Sequence, residues 1–220
     1  MDAPIKDWDL VEIDPTLLPY QTVYKILTGS VVPRPIGWIS TLDGRGRRNL
    51  APFSFFNLVC PRPPTLLFCP SIRSAYSRTK DTLNNIRETG EFVVNIVTED
   101  TLEAMNASAI EAPAEFDEFT FAGVHPVDSV AVKPPRVKES PIHLECRIRQ
   151  ILEISDQAGG GSIVIGAIVH MHLEQRVMLG SDKIDLDELK PVGRLMGNGY
   201  CRISDRIELT RPKSLLGGRT

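Results

Sequence analysis

Two long alternating segments joined by three glycines constrain this chain most. In residues 142–154, Leu144, Cys146 and Ile148 fall on one side and His143, Glu145, Arg147 and Arg149 on the other. That two-residue period is the mark of a strand with one buried face. Gly159, Gly160 and Gly161 lead into residues 162–173, a run rich in β-branched side chains. The pair therefore reads as a long antiparallel hairpin.

The rest of the chain supplies further strands. Residues 36–41 are β-branched and aromatic and end at the Asp43-Gly44 turn. After a basic loop come residues 49–58, in which Pro52 bars a central ladder position and predicts an edge or a bulge. Pro61, Pro63 and Pro64 stop that strand, and residues 65–69 and 91–98 read as short buried strands. Helical signals are fewer. Residues 79–89 place Leu83 and Ile86 on one face, with Thr79 or Asp81 as N-cap and Gly90 as the stop. A second helix is expected over 100–110 and a short turn over 184–189. The first thirty residues read as polar and irregular until Val23-Tyr24-Lys25-Ile26-Leu27, an arm that packs on something else. Strands separated by tight turns, with helices inserted, predict a mainly β protein with a barrel core and peripheral α-helices. No βαβ alternation is present, which disfavours a doubly wound dinucleotide fold. The expected division is an arm over 1–20, one domain over 21–210 and a tail over 211–220.

Composition narrows the class. With 220 residues, 42% hydrophobic, the chain buries roughly 70% of its unfolded surface on folding. No disulfide or metal is needed to make its core. A net charge of −3 and a pI near 5.8 argue against disorder and against a dedicated nucleic-acid binder. The longest apolar run, residues 163–169, is strand-sized, well short of the roughly 20 residues that span a bilayer. The start MDAPIKDWDL lacks the basic-then-apolar pattern of a secretory signal. Cys60, Cys69, Cys146 and Cys201 lie far apart with no CxxC pair, so reduced thiols in a cytoplasmic protein are expected. The Asn106-Ala107-Ser108 sequon then carries no weight.

Most motifs dissolve on inspection. Gly44-Arg45-Gly46-Arg47-Arg48-Asn49 starts like GxGxxG but ends in Asn and lies between two strands, so it reads as a hairpin turn. There is no P-loop and no GxSxG elbow. His170 and His172 share a strand face, but no third ligand stands near them in the sequence, and no metal is expected. What stands out is the density of cations, hydroxyls and prolines in residues 34–57 and 71–82. Together these supply Arg34, Ser40, Thr41, Ser54, Asn57, Arg78, Lys80 and Thr82 near a helix start. A bound phosphate needs such groups: fixed cations, hydroxyl donors and N–H groups at a helix N-terminus. Trp38, Phe53, Phe55 and Phe56 either wall a flat heterocycle or pack in the core. No single residue here is diagnostic.

The same residues resemble the flavin reductase-like, FMN-binding split-barrel family, and its longer flavoredoxin-type branch. The resemblance is carried by Arg34-Pro35-Ile36-Gly37-Trp38-Ile39-Ser40-Thr41, by Asn49-Leu50-Ala51-Pro52-Phe53-Ser54-Phe55-Phe56-Asn57, and by Pro63-Pro64. Lys80-Asp81-Thr82, Asn85-Ile86 and Thr89-Gly90-Glu91-Phe92-Val93-Val94-Asn95 continue it. Glu139-Ser140, His143-Leu144-Glu145-Cys146, Val164-Ile165-Gly166, His172, Arg194-Leu195, Gly197 and Tyr200 follow in order. Cys60 and Cys69 stand where many relatives have serine, and Met196 interrupts the more usual Gly-Gly.

The resemblance implies a six-stranded Greek-key barrel, homodimeric, with non-covalent FMN at the subunit interface. It implies that Trp38, Ile39, Ser40 and Thr41, with Ala51, Pro52, Ser54, Phe55, Phe56 and Asn57, flank the isoalloxazine. Main-chain N–H groups around Ser40-Thr41 and residues 51–54 are the donor candidates for its N1–O2 edge. Ser71, Arg78, Lys80, Asp81 and Thr82 would hold the phosphate, with Arg34 a further candidate. His172 is a candidate proton donor or substrate contact, against an ordinary structural role. Three readings compete: an NAD(P)H-dependent oxidoreductase acting through FMN, an electron carrier served by a redox partner protein with no nicotinamide site, and a non-catalytic FMN-binding dimer. Trp8, Leu10, Val11, Leu17 and Leu18 of the arm either cross to a second subunit or pack on their own barrel.

Overall fold

The computed structural model describes residues 10–72 and 79–212. After a 3-10 turn at Pro15–Leu17 come α1 (Tyr20–Ser30), β1 (Gly37–Leu42), β2 (Arg48–Phe53), β3 (Phe56–Pro61) and β4 (Pro64–Phe68). The middle holds α2 (Asp81–Thr89), β5 (Glu91–Ile96), α3 (Leu102–Ala107), α4 (Glu118–Ala122), β6 (Pro126–Val127) and β7 (Arg136–Val137). The long ribbon is β8 (Ile142–Ser155) with β9 (Gly161–Leu173). It is followed by β10 (Met178–Leu179), β11 (Lys183–Ile184), α5 (Leu186–Leu189), β12 (Val192–Arg194) and β13 (Tyr200–Arg202). No helix among the described residues is long and apolar enough to cross a membrane.

Seven strands form one antiparallel sheet in the order β2-β1-β5-β8-β9-β4-β3. Its two edge strands are consecutive in the chain. Only Ser54 and Phe55 separate β2 from β3, and three Cα steps span at most about 11 Å. The two edges must therefore meet, and the sheet rolls on itself. Phe53 of β2 packs on Phe68 of β4 at 4.9 Å between centroids, and Phe68 on Phe92 of β5 at 5.4 Å. With Ile39, Leu66, Val94, Cys146 and Val164 they fill the interior, and Leu83 and Ile86 of α2 plug it. Trp38 and Leu50 face the other way, into a second core with Met105 of α3, Phe119 of α4 and Val192 of β12. Alternation along β1 and β2 thus feeds two cores from one pair of strands.

Several expectations change. The six-strand count becomes seven, because residues 49–58 divide at Ser54 and Phe55 into β2 and β3. The region expected to be irregular contains α1, eleven residues long, beginning directly after Pro19. Thr28 is its buried residue, while Tyr24, Ile26 and Leu27 are exposed; Tyr20, Val23, Tyr24 and Leu27 do recur at helical spacing, a signal that the reading as an irregular arm passed over. Residues 100–110 split into a 3-10 turn at Glu99–Thr101 and the short α3. The N-cap of α2 is Lys80, neither Thr79 nor Asp81, and Gly90 ends that helix at φ 73° as expected. Residues 43–47 form the expected hairpin turn, with Asp43 accepting from the N–H of Arg45 and Arg47.

At Gly166 a Cβ would stand 2.4 Å from the Phe92 ring, so β9 reaches that ring only because it has no side chain there. Phe92→Ala should lower stability by about 3–5 kcal/mol, read as a shift in the urea unfolding midpoint at unchanged m-value.

Candidate functional site

The β2 edge of the rolled sheet is covered over one half only. The Leu50 N–H donates to Glu118 Oε2 at 3.1 Å, and Arg48 pairs with Asp117, which also caps α4 through the Phe119 N–H. Burial pushes the Glu118 carboxyl up, with Asp81 and Asp117 adding to the effect against its N–H donors. Beyond Leu50 the chain turns to Pro52, which has no N–H to offer a neighbouring strand. There the edge opens into a groove.

Three adjoining compartments with shared walls make the groove. One is lined by Tyr24, Pro52, Phe53, Ser54, Phe55, Cys69, Ser71 and Lys80. A second, sharing Lys80, lies among Asn49, Ala51, Asp81, Thr82 and Glu118. The third shares Tyr24, Pro52 and Ser54 with the first and continues to Ile36, Met105, Asn106, Arg194 and Tyr200. Lys80 stands at the start of α2 with its Nζ 5.2 Å from the Phe53 ring centre. No side chain caps that helix; the Thr79 hydroxyl donates to Asn84 Oδ1 at 2.7 Å instead. Ser71 is held by a bridge to Gly161, where a Cβ would come 2.6 Å from the Pro70 carbonyl oxygen. The third glycine of the hairpin tip therefore lets the chain before α2 lie against β9.

Behind the groove the polar groups are fixed. Thr82 Oγ1 accepts from Asn49 Nδ2 at 2.9 Å, and Thr41 Oγ1 accepts from Asn85 Nδ2 at 3.0 Å. The buried Arg34 guanidinium donates to the carbonyls of Thr28, Val31 and Leu195 at 2.6, 2.7 and 3.0 Å. Its Nε lies 3.4 Å from Ser54 Oγ. Desolvation lowers the Arg34 pKa, with Tyr24 opposing and Arg194 adding. Burial likewise raises the Cys69 thiol.

The two segments singled out in the sequence thus meet. Ala51, Pro52, Ser54, Phe55, Ser71, Lys80, Asp81 and Thr82 line the groove. Others lie behind or beside it. Trp38 and Ile39 are fully buried in the two cores, and the Trp38 indole N–H donates to Ser108. Ser40 donates to the Pro135 carbonyl, Thr41 backs Thr82 through Asn49, and Phe56 packs across Gly37. Asn57 is exposed and accepts from the Leu58 N–H. β1 lies between β2 and β5, so its main-chain groups serve two ladders. Arg78 falls outside the described residues. Sequence reasoning missed Tyr24, Asn49, Met105, Asn106, Glu118, Arg194 and Tyr200 as lining residues. Of these, Asn49, Arg194 and Tyr200 stood in the family-like blocks, which was the available signal.

A family model described as "Flavin reductase like domain" matches residues 28–181. The chain belongs to this flavin reductase-like family. Uncharacterized protein YwrF of Bacillus subtilis (strain 168) is 38% identical over 192 residues, 86% of this chain and 93% of that protein. Among solved structures, nitrilotriacetate monooxygenase component B from Bacillus cereus aligns with TM-score 0.87 at 30% identity, over 92% of this chain and all of its own (100%). The 2-nitrobenzoate 2-nitroreductase NbaA of Pseudomonas fluorescens aligns at 0.83 with 33% identity, over 93% and 98%. The rolled sheet with few helices matches the split-barrel form found among the structural neighbours of this flavin reductase-like chain.

His172 lines none of the three compartments. Its Nε2 lies 2.6 Å from Glu145 Oε1, and Glu145 is fully buried and also accepts from the N–H groups of Val130, Ala131 and Val132. Burial raises that carboxyl, but its donors together hold it below the usual range. Beside it, His143 Nδ1 donates to Asn95 Oδ1 at 2.9 Å; Asn95 spends its amide nitrogen on the Trp38 carbonyl, which fixes the direction of the bond. Burial first, then Arg136 and His172, push His143 down to about 4 from 6.5. Unfolded chains take up this proton as pH falls below 6.5, whereas the folded protein refuses it until about 4. Stability held above pH 6.5 is therefore lost on acidification, by about 3 kcal/mol across the window for this group. His143→Gln should flatten that stretch of the acid limb, read from urea midpoints at neutral pH and near pH 4.5.

Proposed function

We propose that the groove holds FMN without a covalent bond and that the protein is an oxidoreductase fed by a reduced nicotinamide nucleotide. The observation that carries this reading is the meeting, at the open half of β2, of the flat-walled stretch from Pro52 to Phe55 with Ser71, Lys80 and Thr82. The donor set fits a phosphate monoester: an ammonium, two hydroxyls and a helix start without a side-chain cap. Family membership and two relatives named as a monooxygenase component and a nitroreductase support redox chemistry. A bound flavin would supply the two-electron acceptor.

The chain's own residues do the rest. Lys80 offsets phosphate charge, and because Thr82 Oγ1 already accepts from Asn49, its proton is directed to an incoming oxygen. Glu118 lines the same end, where burial raises its carboxyl against its N–H donors. Ser54 accepts from Arg34, so its own proton points away from the guanidinium, toward a ring acceptor. Arg34 acts here as a positioning residue rather than a phosphate ligand, since three carbonyls hold its donors. Exposed Leu58, Val59, Leu152, Ile154, Val169 and Met171 support a homodimer.

The absorption spectrum of purified protein with added FMN, equilibrium dialysis and size-exclusion test the reading. Lys80→Ala should raise the FMN dissociation constant at least about tenfold, and Thr82→Ala by a smaller factor. Unchanged affinity in both variants would refute the phosphate assignment. Anaerobic NADH or NADPH should bleach the bound flavin; inertness with intact binding would favour the electron carrier.

A further inference from the structure

The groove has a second cation that the cofactor reading does not use. Arg194 ends β12 at the far compartment, where its guanidinium stacks 4.5 Å over the Tyr200 ring and donates to the Gly197 carbonyl. Tyr200 is itself held, its hydroxyl donating to Asn106 Oδ1 at 3.0 Å. The Arg194 backbone exchanges both hydrogen bonds with Arg34, at 2.8 and 3.0 Å, so its place is set by the wall of the groove. Half-buried, it forms no ion pair with any described residue. Seven described arginines, Arg47, Arg48, Arg87, Arg147, Arg176, Arg202 and Arg206, pair with a carboxylate, whereas Arg194, like Arg34 beside it, does not. An arginine without a carboxylate partner, stacked on an aromatic ring in the wall of a cleft, is a ready receptor for an anionic oxygen pair.

Its surroundings say what the anion is attached to. Ile36, Pro52 and Met105 give the compartment an apolar floor, and Tyr24 and Tyr200 give it aromatic walls. Such a site takes a flat apolar ring and reads its charged substituent. The compartment shares Tyr24, Pro52 and Ser54 with the one that holds Ser71 and Lys80, so two anionic ends can be held side by side. We propose that Arg194 is the specificity-determining residue for the second substrate, an aromatic or heterocyclic anion whose carboxylate or phosphate it grips while the ring lies between Tyr24 and Tyr200. The assignment of this ligand as a redox substrate rests on the flavin reading; the anion seat itself does not.

Calorimetry on the purified protein, with and without FMN, compares benzoate with neutral benzamide and ADP with neutral adenosine. Either anion should bind at least about tenfold more tightly than its neutral counterpart. A benzoate preference identifies a small carboxylate as the source, an ADP preference a nucleotide phosphate. Arg194→Met should bring the ratio close to one, and Arg194→Lys should keep part of it, with thermal unfolding confirming that both variants fold. Equal affinities in both pairs in the wild-type protein, or a ratio unchanged by Arg194→Met, would overturn the proposal. Absence of FMN binding with the anion preference intact would remove the flavin reading and leave the seat standing.

Discussion

The shape of this protein rests on one short tether. Ser54 and Phe55 join the two outermost strands of a seven-stranded sheet, so the sheet must roll until its edges meet. Packing of Phe53 on Phe68 makes the closure favourable from inside. Pro52 keeps it incomplete, because an edge without its N–H offers a poor ladder to any strand beside it. Backbone that would have been paired in a closed barrel is left beside a cleft instead. The covered half of the same edge shows the alternative: α4 delivers Glu118 to the Leu50 N–H, and that carboxyl becomes part of the wall of the second compartment.

Much of this was legible in the residues. The β8–β9 ribbon, the turn at Asp43, the edge character of Pro52 and the stop at Gly90 each follow from a local rule with a physical cause. What escaped was set by distant contacts. α1 is an exception: Tyr20, Val23, Tyr24 and Leu27 recur at helical spacing, so its stripe was there to be read, although the helix lies largely exposed. The break between β2 and β3 depends on the roll of the whole sheet, which no window of residues contains. The lining residues Met105, Asn106, Arg194 and Tyr200 come from parts of the chain far from residues 34–57 and reach the cleft only through the tertiary fold. Conversely, Trp38, Ile39 and Ser40 lie in the right segment but turn their side chains into the cores. A strand can border a site while giving it nothing but backbone and support.

Charge in the cleft follows the same division of labour. Arg34 is buried and satisfied by carbonyls, which makes it a brace between α1, Ser54 and the loop after β12. Lys80 and Arg194 sit at different compartments with that brace between them. The carboxyl of Glu118 beside the cleft is handled differently: burial raises it, and the Leu50 N–H ties it to the β2 edge. At the other polar cluster, Glu145 keeps its charge because three main-chain donors and His172 converge on it.

The tip of the β8–β9 ribbon couples parts of the molecule that look unrelated. Gly159 lies so close to Tyr20 at the start of α1 that a Cβ would stand 2.5 Å from its ring, and Gly161 touches Pro70 just before Ser71. A methyl group at either position would pry α1 or the approach to α2 outward, and both flank the cleft. Three residues with no side chains thus act as a spacer of minimum thickness, and the width of the cleft is gauged from the far end of a fourteen-residue strand.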